Sequence, residues 1–260
     1  MRLRTGSILG TFSKGIENSV SINFGVSGGA NCETSCQHHP VNDGACYAVR
    51  AEIRPDRQEL TNKLVRHEAM PAALVCGKAL YELQSLVIKG KIIPWVRFST
   101  NGSLPKPDDV RENKLFVSQF RKLVEFCVKN GIPVHIPVES HKKARFYRSL
   151  IGDLVTIRES VQNVKRFPTA AGQVSIAIGH GLPLRNRVSA AATLAKSRTN
   201  KTGRKTVVCP AVVSSFNYKL NSRGLTAEEK SKLKLRYSKA KCGACVACAS
   251  ADVDVVYPIH

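Results

Sequence analysis

The apolar and polar positions of this chain change period several times. Residues 20–26 (VSINFGV) read as a first strand, and residues 27–44, rich in Gly, Asn, His and Pro, as the loop that follows it. From 47 to 89 the spacing turns helical, broken at Pro55 and near Pro71, with Leu80, Leu83, Leu86 and Val87 forming an apolar stripe. Residues 92–99 (IIPWVRFS) return to a strand, and Asn101-Gly102 reads as a turn. Asp108-Asp109 then open a helix that runs to about residue 129 and is ended by Gly131.

The same rhythm continues through strand 134–138, a helix near 142–150, strands 154–157 and 174–178, a short helix over 189–195 and strand 206–213. Strands that alternate with helices predict an α/β protein with mostly parallel strands. A partial or complete β/α barrel is the expected architecture, with an open doubly wound sheet as the competing one. In both, chemistry gathers where loops converge at the carboxyl ends of the strands. That criterion selects Ser99, Thr100 and Asn101, Glu139 and Ser140, Arg158 and Glu159, and His180. The expected organisation is a barrel-like domain over 1–205 that carries an N-terminal cysteine loop. Residues 206–260 then supply the last strand, a basic helix and a cysteine-rich tail packed on the same domain.

Composition adds little to this picture. The chain has 260 residues, 43% hydrophobic and 23% charged, so it can bury a core and is not a disordered sequence. No apolar run approaches the roughly 20 residues of a membrane helix, and the first ten residues do not resemble a secretion signal. The expected location is therefore the cytoplasm, with no membrane partner.

Charge changes it considerably. Lys and Arg number 40 against 19 Asp and Glu, a formal +21. Residues 185–241 alone hold 15 basic and two acidic side chains. Such an excess points to a polyanion, DNA or RNA, with Arg198, Lys201, Arg204 and Lys205 as candidate phosphate contacts. A solvated face that only aids solubility is the competing reading.

Nine cysteines without an export signal argue against a disulfide framework, and their clustering argues for metal. Cys242, Cys245 and Cys248 form two overlapping C-x-x-C units, whose backbone can turn three thiolates toward one point. Cys209 is the candidate fourth ligand and His260 its alternative, and all-thiolate ligation suits zinc or iron. Cys32, Cys36 and Cys46 occupy the loop after the first strand. Three thiolates there can hold a [4Fe–4S] cluster with one iron left open; a zinc ion completed by His38 or His39 is the alternative. Cys76 and Cys127 lie in helical apolar patterns and read as small core residues.

The loop ends in Cys46-Tyr47-Ala48, the tail finishes in Val255-Val256-Tyr257-Pro258-Ile259-His260, and Ser99-Thr100-Asn101-Gly102 closes a strand. In these motifs the chain resembles the radical S-adenosylmethionine (SAM) superfamily and, within it, small phage-encoded proteins of the gene product 88 type. The spacing departs from that family's usual C-x3-C-x2-C, being C-x3-C-x9-C, and no Gly-Gly-Glu motif is evident. The resemblance implies a cluster on Cys32, Cys36 and Cys46 that reduces SAM, with Ser99, Thr100, Asn101, Glu139 and Arg158 as candidates for holding SAM. Combined with the basic segment, it implies an enzyme acting on nucleic acid or an associated substrate. The alternative is a non-catalytic, zinc- or Fe–S-stabilised nucleic-acid-binding protein of phage or plasmid replication or regulation. A metal-dependent nuclease ranks third, because Glu139, Asp153 and Glu159 form no recognisable motif.

Overall fold

The computed structural model describes residues 7–11, 20–34, 41, 58–99, 102–161, 164–170, 172–178, 184–237 and 252–258. The chain divides into two compact units, Met1–Glu159 and Ser160–His260. The protein is α/β, with mostly parallel strands.

The first unit runs β1 (Gly10–Thr11), β2 (Val20–Ile22), α1 (Gln58–Glu68), α2 (Ala72–Ile88), β3 (Val96–Phe98), α3 (Pro107–Val110), α4 (Lys114–Lys129), β4 (Val134–Val138), α5 (His141–Ile151) and β5 (Thr156–Ser160). Its strands follow one another in chain order across the sheet. The β1 strand pairs antiparallel with β2, and β2 through β5 are mutually parallel.

Alternation along the strands creates two different faces. Val20 and Ile22, Val96 and Phe98, Val134 and Ile136, and Ile157 enter the apolar core with buried residues of α2, α4 and α5. The α4 helix presents Phe116, Phe120, Leu123, Val124 and Cys127 to that core, the spacing of an amphipathic helix. The opposite face of the strands is polar: Ser21, Arg97, His135 and Thr156 stand in one register row across β2 to β5.

The single helix expected from Asp108 to about 129 is two helices. Asn113 interrupts it by accepting the Phe116 N–H at 2.9 Å, which caps a fresh helix after the short α3. Gly131, at φ +63°, follows its end as expected.

The second unit comprises β6 (Val174–Ile178), α6 (Leu184–Thr202), β7 (Lys205–Val208), α7 (Pro210–Asn221), α8 (Ala227–Tyr237) and β8 (Val253–Pro258). The tail strand β8, unforeseen in the sequence, lies between β6 and β7 and is parallel to both. This insertion joins β6, β7 and β8 within the second unit. The strand expected over 206–213 stops at Val208 because Pro210 opens α7, where a missing N–H costs nothing. The helix expected over 189–195 extends over 19 residues.

One expected surface residue is a correction. Arg198 has no accessible surface: its Nε donates to Asp254 Oδ2 at 2.6 Å, and its other nitrogens donate to the carbonyls of Phe167, Ala170 and Gly172. Its guanidinium also lies 5.2 Å from the Phe167 ring centroid. A cation so enclosed cannot touch a phosphate. Among the described residues, no helix is long and apolar enough to cross a membrane.

Candidate metal and cofactor site

The loop leaving β2 is held at nearly every turn. His67 of α1 donates from Nδ1 to the Asn23 carbonyl at 3.0 Å, and burial lowers the histidine's pKa, favouring that neutral donor. Asn31 Nδ2 reaches back to the Phe24 carbonyl at 2.9 Å, and Glu68 accepts from Ala30 N–H at 2.6 Å. Gly102, after β3, packs backbone to backbone on this loop. A Cβ there would fall 2.5 Å from the Gly25 carbonyl oxygen, and its φ of +64° also favours glycine.

The strongest anchor is Lys143. Its ammonium is fully buried and donates to the Asn31 carbonyl (2.6 Å), the Leu104 carbonyl (2.7 Å) and Glu139 Oε1 (2.5 Å). The same Glu139 oxygen accepts the Glu33 N–H at 3.3 Å. Lys143 sits in the first turn of α5, where Ser140 caps the helix by accepting the Lys143 N–H. One cation thus joins the ends of β4 and α5 to the cysteine loop.

Cys32 lies between two of those anchors. Gly28 N–H donates to its Sγ at 3.2 Å, and Ser103 hydrogen-bonds the same sulfur. Burial raises the thiol's pKa, opposed by these two donors. Donors aimed at sulfur are what a thiolate ligand needs, and a bound metal would supply the remaining stabilisation of the anion. Cys32 therefore fits a metal-ligand role; Cys36 and Cys46 lie outside the described residues.

The SAM candidates fall in two places. Arg158 lies on the polar face of the sheet and Ser99 directly after β3, both buried, whereas Glu139 faces Lys143 and the cysteine loop. Thr100 and Asn101 lie outside the described residues. Glu159 points away from Arg158 along β5 and accepts from His141 Nδ1 at 3.0 Å, the ring at the start of α5.

In the second unit Cys209 is buried, directly after β7, and its N–H donates to the Val256 carbonyl of β8 at 2.9 Å. Cys242, Cys245, Cys248 and His260 lie outside the described residues. Among those described, no group of three or more His, Cys, Asp or Glu side chains is placed to hold a metal ion. Lys201 and Lys205 are exposed, and the half-buried Arg204 donates to Asp254 at 3.1 Å. Cys76 and Cys127 are core residues as expected: burial pushes the Cys127 thiol up to about 12 and the Cys76 thiol higher still.

Sequence reasoning missed Lys143 and His135. A signal existed for each. Lys143 follows Glu139 by four residues across a strand–helix junction, and His135 is the one ionisable residue in an otherwise apolar strand.

No protein-family model matches this chain, and neither a curated protein nor a solved structure is similar to it.

Proposed function

We propose that this is an iron–sulfur protein of radical SAM type, carrying a [4Fe–4S] cluster on Cys32, Cys36 and Cys46 and acting on nucleic acid or an associated substrate. The observation that carries the reading is the setting of Cys32. It is fixed in the loop beyond the first parallel strand, with two hydrogen bonds to its sulfur. The unbroken chain order of the parallel strands β2 to β5 supports a partial β/α barrel, since a doubly wound sheet reverses its strand order at a switch point.

Cys32, Cys36 and Cys46 would hold the cluster, which when bound would supply one-electron reducing chemistry toward SAM. The chain's own residues supply position. Gly28 N–H and the Ser103 hydroxyl orient the Cys32 sulfur, and Lys143 fixes the loop against α5. Ser99 and Arg158, with Thr100 and Asn101, are the groups assigned to SAM. Lys201, Lys205 and Arg204 are assigned to phosphates, without Arg198. Cys209 joins Cys242, Cys245 and Cys248 in a second centre of iron or zinc.

Anaerobic purification followed by iron, sulfide and zinc analysis tests the reading. About four iron and four sulfide per cluster are expected, and Cys32→Ala should remove one cluster while leaving the tail centre. Zinc without sulfide overturns it. The exposed Lys201 and Lys205 would then favour a zinc-stabilised nucleic-acid-binding protein.

A further inference from the structure

Residues 102–104, which follow β3, are tied to the loop that follows β2 at each successive position. Gly102 packs on the Gly25 backbone, and its N–H donates to Ser27 Oγ at 3.0 Å. The Leu104 carbonyl shares the Lys143 ammonium with the Asn31 carbonyl, at 2.7 and 2.6 Å. Ser103 stands between these two ties, 9% exposed, and its side chain hydrogen-bonds the Cys32 sulfur. A serine in an open loop can turn its hydroxyl to water. Here both chain neighbours are held, and burial removes most of the solvent that would compete for the hydroxyl.

The other bonds that bind these two segments together end on framework atoms. Gly102 and Lys143 reach a hydroxyl and main-chain carbonyls, which fixes the backbone and nothing more. The Ser103 bond ends on the one atom of the loop that is suited to a metal, and it meets there the Gly28 N–H, 3.2 Å from the same sulfur. Adding an electron to an iron–sulfur cluster raises the negative charge shared by its irons and sulfurs. A fixed donor on a ligand sulfur therefore stabilises the reduced form more than the oxidised one, and the potential moves upward. The Gly28 contribution is main-chain and survives any side-chain change. The Ser103 contribution is a single hydroxyl that a substitution removes.

We infer, on the iron–sulfur reading proposed above, that Ser103 is a positioning residue for the Cys32 sulfur whose hydroxyl raises the reduction potential of the cluster held there. The role is one of regulation: it sets how readily the cluster takes up an electron. It is independent of which residues hold SAM and of how nucleic acid is bound.

The test is a potentiometric titration of the full-length, anaerobically purified protein with dithionite and redox mediators, read by electron paramagnetic resonance of the reduced cluster. The signal that Cys32→Ala abolishes is the one to follow, which separates it from any centre in the tail. Ser103→Ala should lower its midpoint potential by about 59 mV, a tenfold change in a one-electron equilibrium, with iron and sulfide contents unchanged. Ser103→Thr, which keeps a hydroxyl, should stay near the wild-type value. Loss of the cluster confined to Ser103→Ala also supports the inference, because the hydroxyl is then required at the sulfur. A midpoint that is unchanged or raised in Ser103→Ala overturns it. So does an equal shift, or equal loss of the cluster, in both variants, since packing and not the hydroxyl would then be responsible. A wild-type protein without iron and sulfide sinks the proposed function itself, and this role with it, before either variant is compared.

Discussion

Lys143 in the first unit and Arg198 in the second are both cations removed from water, and each is surrounded by acceptors, yet they hold different things. Lys143 takes one carboxylate and two carbonyls, from the segments that follow β4, β3 and β2, the last of which carries Cys32. Arg198 takes one carboxylate and three carbonyls, and it joins α6 and β8 to the segment 167–172. The two sites also differ in enclosure, because Glu139 keeps some contact with solvent whereas Asp254 has none. A flexible ammonium suits the irregular carbonyls of a loop; a planar fork suits a carboxylate and a turn held in fixed geometry. The lesson is that a basic residue in a strongly cationic chain can be part of the framework. Net charge alone does not say which.

Arg198→Met should have the largest effect. It leaves Asp254 buried beside the partly exposed Arg204, a loss of about 3–5 kcal/mol for a broken buried pair. Denaturant unfolding of the full chain should show the second unit melting first. A loss below about 1 kcal/mol would mean that the pair is replaceable.

Lys143→Met should cost somewhat less, about 3 kcal/mol, because Glu139 can regain water. Its distinguishing consequence is local: metal content at the N-terminal cysteines should fall, which Arg198→Met should not cause. Equal metal loss in both variants would erase the functional contrast between the two cations.

A third outcome concerns pH. The His135 pKa in the folded chain lies well below that of an exposed histidine, so the unfolded chain binds the additional proton and stability falls as pH drops below about 6.5. His135→Gln should flatten that acid limb, by about 1.4 kcal/mol for each pKa unit of difference. His67, shifted in the same direction, keeps part of the slope. An unchanged acid limb would place a charged His135 in the fold.

The smallest stability change belongs to Lys201→Gln with Lys205→Gln, within about 0.5 kcal/mol, as for ordinary surface positions. The informative measurement is nucleic-acid affinity against salt, where the log–log slope should fall by roughly 1.8 if both lysines neutralise duplex phosphates. No change in slope would leave these charges as a solubility feature.

The residue order determined the alternation of strands and helices, because each element's period is set by its own backbone geometry. Strands 134–138 and 174–178 were read at the bounds they adopt, and Cys76 and Cys127 were placed in the core from helical spacing alone. Helix breaks governed by a single side chain were harder, as the Asn113 cap shows. What lay beyond local pattern was decided by partners distant in the chain. The β8 strand takes its place from β6 and β7, about 80 and 50 residues upstream, since a strand's position depends on which edges it can pair. Arg198 became a buried residue through Asp254, 56 positions away. Lys143 reached the cysteine loop across 112 positions, and His135 lost its water through the packing of a sheet whose neighbours its own segment does not specify. Local periodicity fixes where backbone hydrogen bonds repeat, but the surroundings of a charge depend on long-range contacts, which only the folded chain assembles.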